Sequence, residues 1–420
     1  MNKVPLLAND FIVLYESPDP KNVYCYTPGL ARINNGRILA TMDLGGPEMK
    51  NLPASARWGR GEGGYAWIGK IFTSDDGGQT WTHRADFPFM HARPFVAGKY
   101  VYVLGQADDL MVLRSDDEGE TWSDPVKLTE GQKWHQSACN VHYANGNVYL
   151  VMERRVYFQI QGWYVGELAP LLMRGNIGDD LTQREHWMFA SELVFRDLVE
   201  DSDLLGVPFW NLGNVDPTGK SHREMNPMGW LETNVVQFVD PDHIWCDPTG
   251  HTFHLWMRAH TGGTGYACIL KVVENEDGTM TTTPETVPSG RRILYVPCPG
   301  GQMRFHVLYD EATQLYWLLS TLSWDSMTRP ERLPSTRYNL PNNERQVLAL
   351  HFSKNMIDWH MAGVVAQGNS PKESRHYASM VVYGEDLLVL SRSGDHRAKN
   401  AHDGNLITLH RVKGFRELVY

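Results

Sequence analysis

The feature that most constrains the fold is an octapeptide written twice. Residues 74–81 read Ser-Asp-Asp-Gly-Gly-Gln-Thr-Trp, and residues 115–122 read Ser-Asp-Asp-Glu-Gly-Glu-Thr-Trp, forty-one positions later. Self-similarity at that period marks a repeat unit, which buries its apolar face against the next copy. The residue types are those of a turn: Asp and Thr side chains satisfy backbone amides, and glycine takes the positive φ. The closing Trp is a packing group.

A second pattern recurs along the chain: an apolar run, a short turn, and another apolar run. It occupies residues 26–43, 91–106, 135–155, 303–320 and 375–394, with a longer copy over 232–258. Most of these bends carry Asn-Gly, Ala-Gly or Gly-Glu, residues suited to positive φ in a hairpin. His135 follows Arg93 by 42 positions, so the hairpins and the octapeptides agree on the period. Four strands in about 40 to 50 residues is the unit of a β-propeller. The 38 Gly and 23 Pro, with 14 Trp, 18 Tyr and 14 Phe, fit many short strands joined by tight turns.

The octapeptides resemble the Asp-box of the sialidase superfamily, with worn copies over 173–187 and 351–360 that end in Trp187 and Trp359. The resemblance implies an all-β fold. It would be a single propeller over 1–420, of six or seven four-stranded blades, with an irregular insertion at about 196–231. In that family the box joins the third and fourth strands of a blade, and its Trp packs between blades. The boxes then speak of fold alone.

That geometry also selects a face. Strand two ends, and strand one begins, at the mouth opposite the boxes, where the family has its active site. The positions are Tyr26 and Asp43; His91, Arg93 and Gln106; His135, Gln136, Glu153, Arg154 and Arg155; Glu232, Asn234, Arg258 and His260; Arg304 and His306; and Arg375, His376, Tyr377 and Arg392. An acidic chain, net charge −10, gathers arginine, histidine and tyrosine at one mouth. Guanidinium groups match carboxylates in bidentate fashion.

The chain departs from the sialidase pattern in two places. Tyr26 stands where a clamp arginine is expected, and Leu390-Ser391-Arg392 replaces the Leu-Tyr-Glu that supports that arginine. Tyr377 matches the position of the sialidase tyrosine. The composition of the face also resembles that of propeller polysaccharide lyases, which act on ulvan or rhamnosyl-glucuronate. The expected activity is therefore cleavage at O4 of a uronate by β-elimination: arginines neutralise the carboxylate while His and Tyr move protons. His135 and Tyr377 are the expected proton-transfer pair, with His91 and His376 as alternates. Arg93, Arg154, Arg304 and Arg392 are expected to clamp the anion, and Tyr26, Asp43, Gln136, Arg155, Arg258 and His260 to line the substrate.

Two alternatives stand beside elimination. A sialidase-like or rhamnosidase-like glycoside hydrolase would draw its carboxylates from Asp43, Glu153 and Glu232. A lectin-like propeller would bind glycans without chemistry.

In the polar segment 211–234, Arg223, Glu224 and Asn226 are candidates for a lid, and Trp210 and Trp230 either stack on sugars or anchor the loop. The last apolar strand is expected to pair with residues 10–17 and close the ring. No cofactor is expected. His402 and Asp403 are two ligands short of a cation site, so structural calcium has no motif behind it. Cys25, Cys139, Cys246, Cys268 and Cys298 are scattered and form neither a zinc pattern nor a disulfide framework. The acidic balance argues against nucleic-acid partners. No apolar run reaches membrane-spanning length and no leader pattern opens the sequence, so the expectation is a cytoplasmic protein, or a secreted or periplasmic one if this is a mature form, whose partner is an acidic carbohydrate.

Overall fold

The computed structural model describes residues 5–8, 10–49, 59–60, 66–161, 163–200, 203, 228–261, 263–324 and 344–420. Among the described residues six antiparallel sheets are the blades of a propeller, and a two-stranded ribbon pairs Glu285–Thr286 with Arg292–Ile293. From inside outward, blade 1 is Tyr24–Arg32, Ile38–Gly45, Ala66–Ser74 and Thr82–Phe87. Blade 2 is Met90–Ala97, Tyr100–Ala107, Asp109–Ser115 and Val126–Lys127. In blade 3 the inner strand is broken into Trp134–His135 and His142–Ala144, both paired with Asn147–Arg155; Leu168–Asn176 and Trp187–Phe189 follow. Blade 4 is Gly229–Val236, Thr252–His260, Tyr266–Glu274 and Met280–Thr283. Blade 5 is His306–Asp310, Leu315–Leu322, Val347–Ser353 and His360–Gln367. Blade 6 takes Arg375–Tyr383, Asp386–Ser393 and Leu406–Val412 from the end of the chain and Phe11–Glu16 from its start. Phe11 opposite His410 and Glu16 opposite Leu406 close the ring, as the sequence leads one to expect.

The strands are apolar on both faces because each blade is covered on both sides. In blade 2, Tyr102 and Leu104 pack toward blade 3 with Leu150 and Met152. Their neighbours Val101 and Val103 point the other way and pack with Leu39 and Ile71 of blade 1. This is the period-two alternation of a pleated strand, both halves of it buried. Six such clusters alternate with six blades around the ring. Burying each Val, Leu or Phe contributes about 1.5–3 kcal/mol, so these seams hold the ring together.

The octapeptides are turns between third and fourth strands. Ser74 Oγ donates to Asp76 Oδ1 at 2.8 Å and accepts the Gly78 N–H at 2.8 Å, while Asp76 accepts the N–H and the hydroxyl of Thr80 at 2.9 Å and 2.6 Å. The second copy repeats these bonds through Ser115, Asp117, Gly119 and Thr121. Gly78 stands at φ +89°, and a Cβ there would meet Leu409 at 2.2 Å, so both backbone and space require glycine. Trp81 joins the seam between blades 6 and 1, and Trp122 the seam between blades 1 and 2. Trp187 and Trp359 do the same for later blades.

Trp230 is an anchor rather than a sugar platform: it is fully buried and its Nε1 donates to the Leu168 carbonyl at 2.8 Å. Trp210, Arg223, Glu224 and Asn226 lie outside the described residues, as does most of the expected insertion; its described edges are the short helix Phe195–Leu198 and the strand beginning at Gly229.

Candidate active site at the mouth opposite the Asp-box turns

Four inner strands carry the same irregularity near their first residues. The register slips between Tyr26 and Gly29, Met90 and Arg93, Leu231 and Asn234, and His376 and Ser379. Each is a β-bulge, a device that re-aims a side chain at the end of a ladder. The first extra residue of each has positive φ without being glycine: Thr27 at 32°, His91 at 56°, Glu232 at 59° and Tyr377 at 50°. Such backbone costs on the order of 1 kcal/mol or more and persists where the surroundings enforce it. All four residues line one pocket of about 510 Å³.

Across each bulge, the end of the second strand supplies the next layer. Tyr26 faces Asp43, Met90 faces Gln106, Leu231 faces Arg258, and His376 faces Arg392; in blade 3, His135 faces Glu153. The loops that enter third strands at this mouth add Asp108, Trp163, Tyr164, Arg345 and His402.

Tyr377 is the centre of the cluster. Its hydroxyl accepts from Arg258 Nη1 at 2.7 Å, and the same nitrogen donates to Glu232 Oε2 at 3.2 Å. Arg258 Nε is tied to the Gln302 carbonyl at 2.7 Å, so this guanidinium has no freedom to swing. Arg345 and Arg392 lie 5.4 Å and 5.5 Å from the Tyr377 ring. Burial raises the Tyr377 pKa; Arg258 and Arg345 pull it down, while Glu232 pushes it up through its charge and a hydrogen bond. The phenol therefore keeps its proton at neutral pH, next to a carboxylate able to receive it. For Arg258 burial works against the charge, but Tyr377 and Glu232 outweigh it and hold the guanidinium above its ordinary value.

Histidines occupy the opposite wall. His135 stands edge-on to His91, ring centroids 5.4 Å apart, and to Trp163 at 5.2 Å. Its Nδ1 lies 3.9 Å from Glu153 Oε2. Glu153 is fully buried, and its other oxygen accepts from Gln136 Nε2 at 3.0 Å, Thr233 N at 3.0 Å and Thr233 Oγ1 at 2.6 Å. His91 is held neutral, its pKa pushed well down by burial and then by His135 and Arg392.

The remaining sequence candidates divide by depth. Tyr26, His260 and Arg392 line the pocket, and Arg392 lies flat over the Tyr26 ring at 4.1 Å while bonding to the His402 carbonyl. Asp43 and Gln136 are buried beneath it. His376 is also buried: its Nδ1 lies 3.0 Å from Arg345 Nη1, and burial, Arg345 and Arg392 hold it neutral. It positions Arg345 and does not face the pocket. Arg93 and Arg304 lie deeper, in the channel. One expected clamp residue, Arg154, and one expected substrate-lining residue, Arg155, are held by partners outside the pocket. Arg154 bonds to Glu192 at 2.6 Å, and Arg155 to Glu167 at 2.9 Å beside Tyr164; they are the last two residues of the second strand, beyond the Glu153 level. Arg375 bonds to the Ser374 and Gly394 carbonyls, and Asn234 and His306 bridge inner strands through backbone groups. His402 Nδ1 pairs with Asp403 at 2.7 Å, and Tyr26 donates to the same carboxylate oxygen at 2.9 Å. Among the described residues no group of three or more His, Cys, Asp or Glu is placed to hold a metal, and no helix is long and apolar enough to cross a membrane.

Sequence reasoning missed Arg345, Trp163 and Asp108. Arg345 stands two residues before the third strand of blade 5, and third strands start at the same mouth where second strands end. That rule would have found it.

No protein-family model matches the chain, and no curated protein sequence matches it. Solved structures do. A protein of unknown function from Dyadobacter fermentans aligns over 98% of this chain and 99% of its own at 12% identity, TM-score 0.55. A Trypanosoma rangeli sialidase mutant displaying trans-sialidase activity aligns over 100% of this chain at 12% identity, TM-score 0.53. A Hadza microbial sialidase aligns over 93% at 14% identity, TM-score 0.51. The chain spans 61% and 66% of those two sialidases. At these identities the likeness establishes the fold: a six-bladed propeller of the sialidase type.

Proposed function

We propose that the protein is a glycoside hydrolase that removes a terminal acidic sugar, with Tyr377 as nucleophile. The observation that carries this reading is the meeting of Tyr377, Glu232 and Arg258 on the pocket axis, with Arg345 and Arg392 beside them. Three guanidinium groups around one phenol suit a sugar whose carboxylate lies near its anomeric carbon. An anionic nucleophile would be repelled by that carboxylate; a neutral phenol is not. Glu232 takes the phenolic proton as the oxygen attacks the anomeric carbon. The leaving oxygen receives a proton from His135, whose Nδ1 faces Glu153 Oε2 at 3.9 Å. Water, activated by the same imidazole, then releases the sugar from Tyr377. A pocket floored by buried side chains receives a chain end rather than a passing strand. The resemblance to sialidases supports this reading, and the departure at Tyr26 sets it apart from a plain sialidase: Arg392, from blade 6, lies over that tyrosine and restores a guanidinium to the mouth.

Elimination remains the second reading, favoured by the His135–Glu153 contact, which would equally serve a base removing the C5 proton of a uronate. The deciding experiment offers aryl glycosides of uronic and ulosonic acids, and uronate oligosaccharides, to the purified protein. Hydrolysis predicts aryl alcohol and a saturated free sugar. Ultraviolet absorbance from an unsaturated uronate, without hydrolysis of the glycosides, would establish elimination. Tight binding without product would leave a lectin.

A further inference from the structure

Beneath the pocket, two arginines lie in the propeller channel in an arrangement the proposed reaction does not use. Arg93, on the inner strand of blade 2, and Arg304, just before the inner strand of blade 5, are each 1% exposed. They converge on consecutive carbonyls of blade 3: Arg93 Nη2 donates to Ser137 O at 3.2 Å, and Arg304 Nη2 donates to Ala138 O and to Ser379 Oγ at 2.8 Å. Adjacent carbonyls thus anchor both guanidinium groups, and for Arg93 burial, and to a lesser degree the charge of Arg304, works against its own charge. Nε and Nη1 of both point at no acceptor among the described residues.

The surrounding groups do not balance this charge. His91 above and His306 below are neutral, both pushed well down by burial. The His306 Nδ1 accepts the Met380 N–H at 2.9 Å, which places its proton on Nε2. Glu153 is the carboxylate whose field reaches Arg93, and one of its oxygens is already saturated by Gln136 and Thr233. Glu232 is committed to Arg258. Two cations and one carboxylate leave an excess positive charge away from bulk water, where an uncompensated ion costs several kcal/mol. Water would satisfy the donors but not the charge.

We propose that the channel holds a small monovalent anion, a halide in the physiological case, between Arg93 and Arg304. The site has its own entrance. The opposite mouth is a depression of about 440 Å³ whose lining includes Arg93, His306 and Ser379, with walls of Leu30, Val236 and Val381. An ion entering there does not cross the sugar pocket. The apolar walls and the depth of the donors select a small, weakly hydrated ion over phosphate or sulfate, whose dehydration is costlier.

The test uses the whole protein. Melting temperature is followed as chloride or bromide replaces gluconate at constant ionic strength, and crystals are soaked in bromide for anomalous diffraction. A saturable rise of about 2–5 °C and a bromide peak between the two guanidinium groups are expected. Arg304→Met should abolish the halide response while the baseline shifts; should that variant fail to fold, Arg93→Met and the wild-type bromide map still decide. A melting temperature indifferent to halide, or bromide found only at the surface, overturns the proposal.

Discussion

Glu232 Oε2 and Tyr377 Oη meet at a single nitrogen, Nη1 of Arg258, at 3.2 Å and 2.7 Å. The two residues come from blades 4 and 6, and each sits on a β-bulge at positive φ. The shared donor holds a proton donor and a proton acceptor side by side and neutralises the carboxylate while leaving it able to accept. The backbone strain is local and repeated, as at sites where side-chain aim takes precedence over ladder regularity.

Tyr377→Phe keeps the ring against Arg345 and removes only the hydroxyl. On an aryl glycoside substrate kcat/KM is expected to fall by about 10³-fold or more, with the melting temperature changed little. Glu232→Gln should lose a comparable amount. A Phe variant within tenfold of wild type would remove Tyr377 from the chemistry.

Arg345 bonds to His376 and stands over the face of Tyr377, where it is placed to grip the sugar carboxylate. Arg345→Met is expected to raise KM for an acidic substrate by about 10–100-fold, with a smaller effect on kcat, and Arg345→Lys to recover part of the loss. His376→Phe should show a milder version of the same KM effect, because it acts through Arg345. Equal losses on acidic and neutral glycosides would contradict the clamp.

How much of this was legible in the sequence follows from what repeats. The octapeptides and hairpins have fixed spacing, so the blade unit and ring closure could be read directly, while the blade number was narrowed to six or seven. The same spacing located Asp43, Gln106, Glu153, Arg258 and Arg392, because a second-strand end falls at a constant offset from its hairpin. Loops have no period. Arg345 and Asp108 are marked only by standing just before a third strand, and Trp163 enters from a longer connection that nothing repeated marks. Arg154 and Arg155 failed for the opposite reason: they follow Glu153 in the strand, but one or two residues further on the pleat and the rim carry them off the axis. The bulges were also illegible, since nothing in Glu232-Thr233-Asn234 or Tyr377-Ala378-Ser379 announces positive φ.

Asp43 makes the pH dependence of stability specific. It is fully buried, accepts the His91 N–H at 3.0 Å through one oxygen, and among the described residues has no hydrogen-bond partner for the other. Burial pushes its pKa up to about 7, against the pull of the His91 amide and Arg392. A carboxyl that binds its proton more tightly folded than unfolded adds stability at low pH, and loses it as pH rises from the ordinary value near 4 through about 7. Asp43→Asn mimics the protonated form and has no such slope. The variant should match wild type near pH 4 and exceed it above pH 7, by an amount of order 2–4 kcal/mol, measured by urea unfolding at each pH. Parallel curves would mean that Asp43 remains ionised in the fold.

Asp76 and Asp117 test the separation between scaffold and chemistry. Each carboxylate accepts three hydrogen bonds within its own turn, from a serine hydroxyl, a threonine hydroxyl and a threonine amide. Hydrogen bonds to Thr80 and Ser74 hold the Asp76 carboxyl down at about 2. Removing the carboxylate leaves the turn amide and the strand end without a partner, while Trp81 or Trp122 still fills its seam. These turns lie at the far ends of the third strands, opposite the pocket. Asp76→Ala and Asp117→Ala are therefore each expected to lower stability by about 1–2 kcal/mol, less than a buried bond of the same kind because the turns are partly solvated. With kcat/KM on the acidic substrate unchanged below the melting range, the two mouths of the propeller would be functionally independent; a matching loss of activity would show that the turns transmit strain through the blade to the bulges.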